Sequence, residues 1–310
     1  MAFGLVSLIP NDAGIPFVKG RLIAFAVSIF LIVGSIGAYF VNGINFGIDF
    51  TGGIQMEIQT EGDADLSQIR AIADSVDLGS ADVQGFGQSN QALIRLQALE
   101  GEGLDVEAAQ QNARQTLQLA LEEQLPGVEV LAADVLGAKV SGELQVAGFL
   151  SVTVALVLML IYIWFRFEWQ YSVGAVLALV HDVIITIGLF AVTQMEFNLS
   201  TVAAILTIVG YSMNDTVVVY DRIRENLRKY KKKEIGEVLN LSINDTLSRT
   251  ILTSFTTLVA LFALFTIGGP TLQGFSAAMI FGIAIGTYSS IFVAAPILMI
   301  TKVNRETSDD

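Results

Sequence analysis

Six stretches of this chain are each apolar and long enough to cross a bilayer: near Arg21–Val41, Leu144–Phe165, Tyr171–Thr193, Leu199–Tyr220, Arg249–Ile267 and Phe275–Ile300. A spanning helix takes about 20 residues. A water-soluble body needs polar cover, and globular chains typically carry about 25% charged residues. Here 15% of 310 residues are charged, 53% are hydrophobic and the mean hydropathy is +0.62. The chain therefore reads as a polytopic membrane protein. Lys19 and Arg21 precede the first stretch as they would in a secretory signal. Its length, the lack of a small-x-small cleavage site and the five later spans make it a retained anchor.

The charge is unevenly placed. Between Asn42 and Glu143 there are seventeen acidic and four basic residues, while the remainder is balanced. That excess excludes the basic footprint of a nucleic-acid binder and fits a solvated domain between the first two spans. Short basic segments set orientation. Arg222, Arg224, Arg228, Lys229, Lys231, Lys232 and Lys233 fall between the fourth and fifth spans, and Lys19, Arg21, Arg166, Lys302 and Arg305 share their side if the spans alternate. The expected plan is a cytoplasmic N-terminus (1–20), a first transmembrane helix (21–41), a periplasmic domain (42–143), helices 2–6 over 144–300 with a basic cytoplasmic loop near 221–246, and a cytoplasmic tail (301–310). The basic loop reads as a topogenic signal in contact with lipid headgroups.

Within 42–143, Ile54, Met56 and Ile58 alternate with polar residues, the period of a half-buried strand. Leu66, Ile69, Ala73 and Val76 lie on one helical face. Strands are expected near Ala81–Phe86 and over Gln91–Gln97, where Ile94 and Leu96 alternate with Arg95 and Gln97. Val106, Ala109, Ala113, Leu117 and Leu121 line a second helix, ended by Pro126-Gly127, before a strand carrying Val128 and Val130. The fold class is a membrane all-α bundle of six helices with an α+β ferredoxin-like extracytoplasmic domain, β-α-β-β-α-β in order.

The absence of cysteine excludes a disulfide framework, thiolate metal sites and a cysteine nucleophile. A single histidine and the lack of a phosphate-cradling glycine loop leave no catalytic constellation, metal site or cofactor to expect. What remains is ionisable groups in apolar helices, each costing several kcal/mol and needing a reason to be there. These are His181 and Asp182 in the third span, Asn214 and Asp215 in the fourth, and Arg249 opening the fifth. Thr207, Tyr211 and Asn214/Asp215 form one helical stripe, Arg249, Thr253 and Thr256/Thr257 a second, and Asp182 with Thr186 a third. The three stripes are expected to face one another. A carboxylate held between desolvation, which favours its neutral form, and an arginine, which favours the ionised form, can change protonation as water access alternates. Two plainer readings stand beside this one. Asp215 can be a helix-terminal acid wetted by the interface, with Arg249 reaching the headgroups and pairing with Asp245 four residues earlier. His181 and Asp182 can be an inter-helix hydrogen-bonded strut.

Gly47, Asp49, Gly52 and Gly53, in the run GIDFTGG, occupy the joint between the first span and the first strand, where glycines permit unusual backbone shapes. Ala278, Gly282, Gly286 and Ser290 recur every four residues, a packing stripe for a helix of this chain or of another subunit.

Three segments, Gly47–Gly53 (GIDFTGG), Ser212–Asn226 (SMNDTVVVYDRIREN) and Ser242–Ser254 (SINDTLSRTILTS), resemble the SecD/SecF family of protein-export subunits, of the resistance-nodulation-division superfamily. The six-span plan with a domain of about 100 residues after the first span is similar as well, so the likeness covers nearly the whole chain. Ala138 departs from it, standing where the family has the proline of a Gly-Pro pair. The resemblance implies pairing with SecD, a related six-span subunit, and association with the SecYEG channel in the bacterial inner membrane. It also implies use of the proton-motive force to draw unfolded polypeptides outward, without enzymatic chemistry. In the family the aspartate of N-D-T and the arginine of S-R-T take part in proton coupling, and here they fall on Asp215 and Arg249. The rival reading is half of a proton-driven small-molecule efflux transporter.

Overall fold

The computed structural model describes residues 14–76, 81–97, 104–301 and 303. Most of the expected cytoplasmic N-terminus and tail, including Lys302 and Arg305, lies outside the described residues. The chain divides into two units. One comprises Asn45–Ser151 with Glu196–Ser200, and the other holds the first span, the chain from Val152 to Met195 and everything described from Thr201 on.

The first unit is built on a sheet. A four-residue helix α2 (Ile48–Thr51) leads to β1 (Gly53–Gln59), followed by α3 (Leu66–Ser75), β2 (Ala81–Gly85), β3 (Gln91–Leu96), α4 (Leu104–Gln124) and β4 (Glu129–Leu136). The strands form one antiparallel sheet in the order β2-β3-β1-β4. Met56 stands opposite both Ile94 of β3 and Ala133 of β4, with a register shift after Glu57. The alternating Ile54, Met56 and Ile58 turn to one face and pack with Ala92, Ile94 and Leu96 against Ile69, Ile72 and Ala73 of α3 and Ala113, Leu117 and Leu121 of α4. Asp65 caps α3, its Oδ1 accepting from the amides of Ser67 and Gln68 at 3.0 and 3.1 Å. Two expectations shift. Ala109 is exposed and Gln110 is buried, because the inward face of α4 follows Gln110, Ala113, Leu117 and Leu121. Arg95, expected on the wet face of β3, is only 9% exposed.

The second unit is helical. Among the described residues six helices, which supply this unit and in part run on into the first, are long and apolar enough to cross a membrane: Phe17–Asn42, Ala138–Arg166, Trp169–Thr193, Leu199–Lys229, Ile235–Ile267 and Leu272–Ile300. They comprise α1 (Arg21–Asn42) behind a 3-10 turn, α5 (Ala138–Arg166), α6 (Trp169–Thr193), α7 (Leu199–Lys229), α8 (Ile235–Ile267) and a last span of α9 (Pro270–Ser289), a wide π turn (Ser290–Ala294) and α10 (Ala295–Ile300). Several outrun their apolar stretches. The segment 221–246, expected as a loop, is helical at both ends, with only residues 230–234 between α7 and α8. Hydropathy marks where the bilayer ends, whereas Ile223 and Leu227 on α7 and Val238, Leu239 and Ile243 on α8 keep both helices packed beyond it.

The small-residue stripe packs within the chain, against α7. A Cβ on Gly282 would collide with the Ile208 side chain, and one on Gly286 would lie 2.9 Å from Ser212 Cβ. Small residues let helix backbones approach this closely, which is a principal source of attraction between helices in lipid.

Candidate functional site

Asp182 is the centre of a hydrogen-bonded hub and is 1% exposed. Its Oδ2 accepts from Ser212 of α7 at 2.5 Å and from Ser289 of α9 at 2.7 Å. Its Oδ1 meets His181 Nδ1 at 2.8 Å. The other ring nitrogen of His181 meets Ser28 Oγ of α1 at 3.2 Å, Ser28 meets the Tyr288 hydroxyl at 3.1 Å, and Tyr288 donates to the Ala24 carbonyl at 2.7 Å. Four helices are thus tied by polar bonds whose alternative is an unsatisfied group in lipid. Beside the hub, Ser290 in the π turn pairs with Thr216 at 3.0 Å, and the Tyr220 hydroxyl donates to the Ala294 carbonyl at 3.0 Å.

Asp215 lies three residues past Ser212 and its surroundings differ. It is 3% exposed, yet its Oδ2 has no hydrogen-bond partner among the described residues. Arg249 of α8 is close enough to act on it electrostatically. The Tyr211 hydroxyl and Thr250 Oγ1 are buried without partners as well. Arg249 does not pair with Asp245: that carboxylate accepts from Arg222 Nε at 2.8 Å and Asn226 Nδ2 at 3.1 Å.

The expected meeting of three polar stripes is realised only in part. The hub joins α6 to α7 and α9, but Thr207 and Asn214 are exposed, and Thr253 donates to the carbonyls of Arg249 and Thr250 in its own helix. Sequence reasoning missed Ser28, Ser212, Ser289 and Tyr288. Lone hydroxyls in apolar helices are common, and nothing along the chain marks these four as members of one network around His181 and Asp182.

The joint in the sheet unit is equally specific. Residues 45–50 pair with 197–199: Gly47 N donates to Phe197 O at 2.9 Å, Phe197 N to Asn45 O at 2.8 Å, and Leu199 N to Asp49 Oδ2 at 2.8 Å. Phe46, Phe50 and Phe197 form a trio of ring contacts. From β3, Arg95 Nη1 donates to Asn45 Oδ1 at 3.0 Å and Phe46 O at 3.2 Å. Gly52 and Gly53 have φ of 70° and 120°, values that side-chain-bearing residues rarely adopt. Gly47 has an ordinary φ and instead leaves the space filled by the Glu196 carboxylate. Burial pushes the Glu196 carboxyl above its ordinary value, with Arg95 opposing and Asp49 reinforcing the shift. Glu57 moves the same way, through burial first and then the charges of Asp134 and Glu196.

The C-terminal end of α7 is charged. Arg166 pairs with Asp221 at 2.7 Å, and a cleft of about 490 Å³ is lined by these two with Arg224, Glu225, Arg228 and Lys229. Trp164 and Trp169, which flank Arg166 in sequence, are exposed, the amphipathic aromatics usual at a membrane–water boundary.

Fold and site together define a polytopic membrane protein organised around buried ionisable side chains, with a small sheet unit inserted after its first span. Residues 117–304 match the family described as Protein export membrane protein SecD/SecF, C-terminal, and residues 40–64 match the SecD/SecF GG Motif. The protein translocase subunit SecF of Rickettsia akari is 42% identical over 292 residues, covering 94% of this chain and 93% of the relative. That of Cereibacter sphaeroides is 42% identical over 312 residues, covering 98% and 94%. Among solved structures, SecDF from Thermus thermophilus, a translocon-associated membrane protein, is 34% identical with a TM-score of 0.85; the match covers 95% of this chain and 40% of that one. A SecDF structure described as the super-membrane-facing form is also 34% identical, with a TM-score of 0.67, covering 92% and 38%. The chain belongs to the SecD/SecF family of protein-export membrane proteins, and its place is as an accessory component of Sec translocation.

Proposed function

We propose that this chain, together with SecD, uses the proton-motive force to promote export of polypeptides through the SecYEG channel across the bacterial inner membrane. Asp215 and Arg249 are the proton-coupling residues. The single observation behind this reading is that Asp215 is buried among apolar helices with one oxygen unbonded and a guanidinium nearby. A carboxylate left that way can take up a proton without breaking an existing bond at that oxygen. Each proton crossing supplies about 2.3 kcal/mol per 100 mV. His181, Asp182, Tyr211, Asn214 and Thr253 are supporting residues around this pair.

The exposed Asn214 and Arg249 support pairing with a second polytopic chain, since lipid offers such groups no partners. The basic end of α7 and the aromatics flanking Arg166 support a cytoplasmic location for that end and contact with lipid headgroups. Both termini are then cytoplasmic and the sheet unit is extracytoplasmic. Its β-α-β-β-α-β order and fully antiparallel sheet favour the ferredoxin-like assignment. In this reading Gly47, Asp49, Gly52 and Gly53 form the joint that bears the moving domain.

The test is a strain whose only copy carries Asp215→Asn. Inserted, folded protein with accumulated precursor is the expected result; normal precursor processing overturns the reading.

A further inference from the structure

The first amides of a helix have no partner within it and are usually capped by a side chain next to them in sequence. At the start of α7 a partner also comes from far along the chain. The residue before the helix, Asn198, accepts a bond from Ser200 Oγ at 2.7 Å. The amide of Leu199, where α7 begins, is taken by Asp49 Oδ2 at 2.8 Å, from 150 residues away. A carboxylate suits that position because the helix dipole is positive there. Asp49 is the acidic member of GIDFTGG, and α7 is the helix that carries Asp215.

The bonds around it extend this tie into the sheet. Phe197 is bracketed by backbone bonds to Asn45 and Gly47, and Arg95 holds Asn45 and Phe46 from β3. Those bonds fix the segment before α7. Of the bonds in the joint described above, the one from Asp49 acts on α7 itself. Residues Glu196–Ser200, including the first two of α7, accordingly belong with the sheet unit.

We propose that Asp49 is a positioning residue: by holding the first amide of α7 it makes the start of the Asp215 helix part of the sheet unit, so that a displacement of α7 is delivered to the sheet and not absorbed by residues 196–200. The proposal rests on the proton-coupling reading of Asp215 and gives the acidic residue of the glycine motif a mechanical task.

Three variants test it. Asp49→Ala removes the acceptor. Leu199→Pro removes the donor while leaving the carboxylate, and proline is well tolerated at a first helical position. Asp49→Asn keeps an oxygen for the amide and ranks with aspartate as a cap. The chain has no cysteine, so Ser89→Cys in the sheet unit and Lys232→Cys between α7 and α8 can carry the only spin labels. The full chain, purified with the subunits that accompany it, is placed in vesicles under an imposed proton gradient. A gradient-dependent change in label separation is expected in the native chain and in Asp49→Asn, and is expected to vanish in Asp49→Ala and Leu199→Pro. Gradient-driven export should fall at least about fivefold in the latter two, the lower end of typical coupling energies. Native behaviour of Asp49→Ala and Leu199→Pro, alongside a silent Asp215→Asn, overturns the positioning role and leaves the proton reading standing. Native behaviour of Asp215→Asn removes both. Lost hydrogen-exchange protection in β1 and β3 of both uncoupled variants marks a folding role and also overturns the proposal.

Discussion

Two buried carboxylates on neighbouring helices are treated in opposite ways. Asp182 accepts from two serines and meets a histidine, and its network reaches four helices. Asp215 is nearly as buried, has an unbonded oxygen and feels the charge of Arg249. A fully bonded acid resists change, because altering its charge disrupts several partners at once. A partly bonded one is free to change. In the proposed reading the bundle separates the acid that holds helices together from the acid that cycles.

The largest expected effect breaks the comparison at its functional end. Asp215→Asn, equal in size, should abolish the gradient-dependent part of precursor export while insertion and thermal stability stay near native, measured by pulse-chase processing and unfolding in detergent. Asp182→Ala should do the reverse. It leaves His181, Ser212 and Ser289 without their shared acceptor and should lower stability by about 1–3 kcal/mol, the usual cost of leaving a buried polar group unsatisfied. If its export defect exceeded its loss of folded protein, the division of roles would fail.

Next comes the cationic neighbour of Asp215. Arg249→Ala should slow gradient-driven export roughly tenfold, equivalent to about 1.4 kcal/mol, and Arg249→Lys should recover most of it. Equal, native rates for both would assign Arg249 to the headgroups instead.

The smallest effect lies in the sheet unit and serves as a control. Burial raises the Glu57 and Glu196 carboxyls above their ordinary value of 4.5. The folded state then binds protons more readily than the unfolded chain. The contribution of these two groups to stability is fully present below about pH 4.5 and is lost as pH rises through the raised folded values. Glu196→Gln should remove its share of that decline. Protection of the β1 and β3 amides at pH 7, corrected for intrinsic exchange, should rise slightly, with export unaffected by titration at this site.

Sequence carried some of this architecture plainly. The alternation of Ile54, Met56 and Ile58 predicts a strand with one buried face, because side chains on a strand point alternately to its two sides. Asp215 and Arg249 stand out because charge in an apolar helix is costly wherever the helix packs. Arg95 shows the limit of such reading. Alternation assigned it to a face, correctly opposite Ile94, but could not reveal that Asn45 and Phe46 cover that face. The hub was half legible. His181 and Asp182 are conspicuous, whereas Ser28, Ser212 and Ser289 resemble any small residue in a membrane helix until the backbone brings them together. Helix ends were hidden for another reason: the apolar stretch of α8 starts near Arg249, but its packing starts at Ile235 and depends on contacts made outside the lipid.

The π turn at Ser290–Ala294 places one residue of slack inside the last span. Moving such a turn along a helix by one position turns the residue it passes by about 100°, the angle one residue subtends, and leaves the flanking segments in the same relative orientation. The two bonds that α7 makes with the turn, Thr216 to Ser290 and Tyr220 to Ala294, can therefore be re-set locally while Ser289, one residue before it, keeps its grip on Asp182.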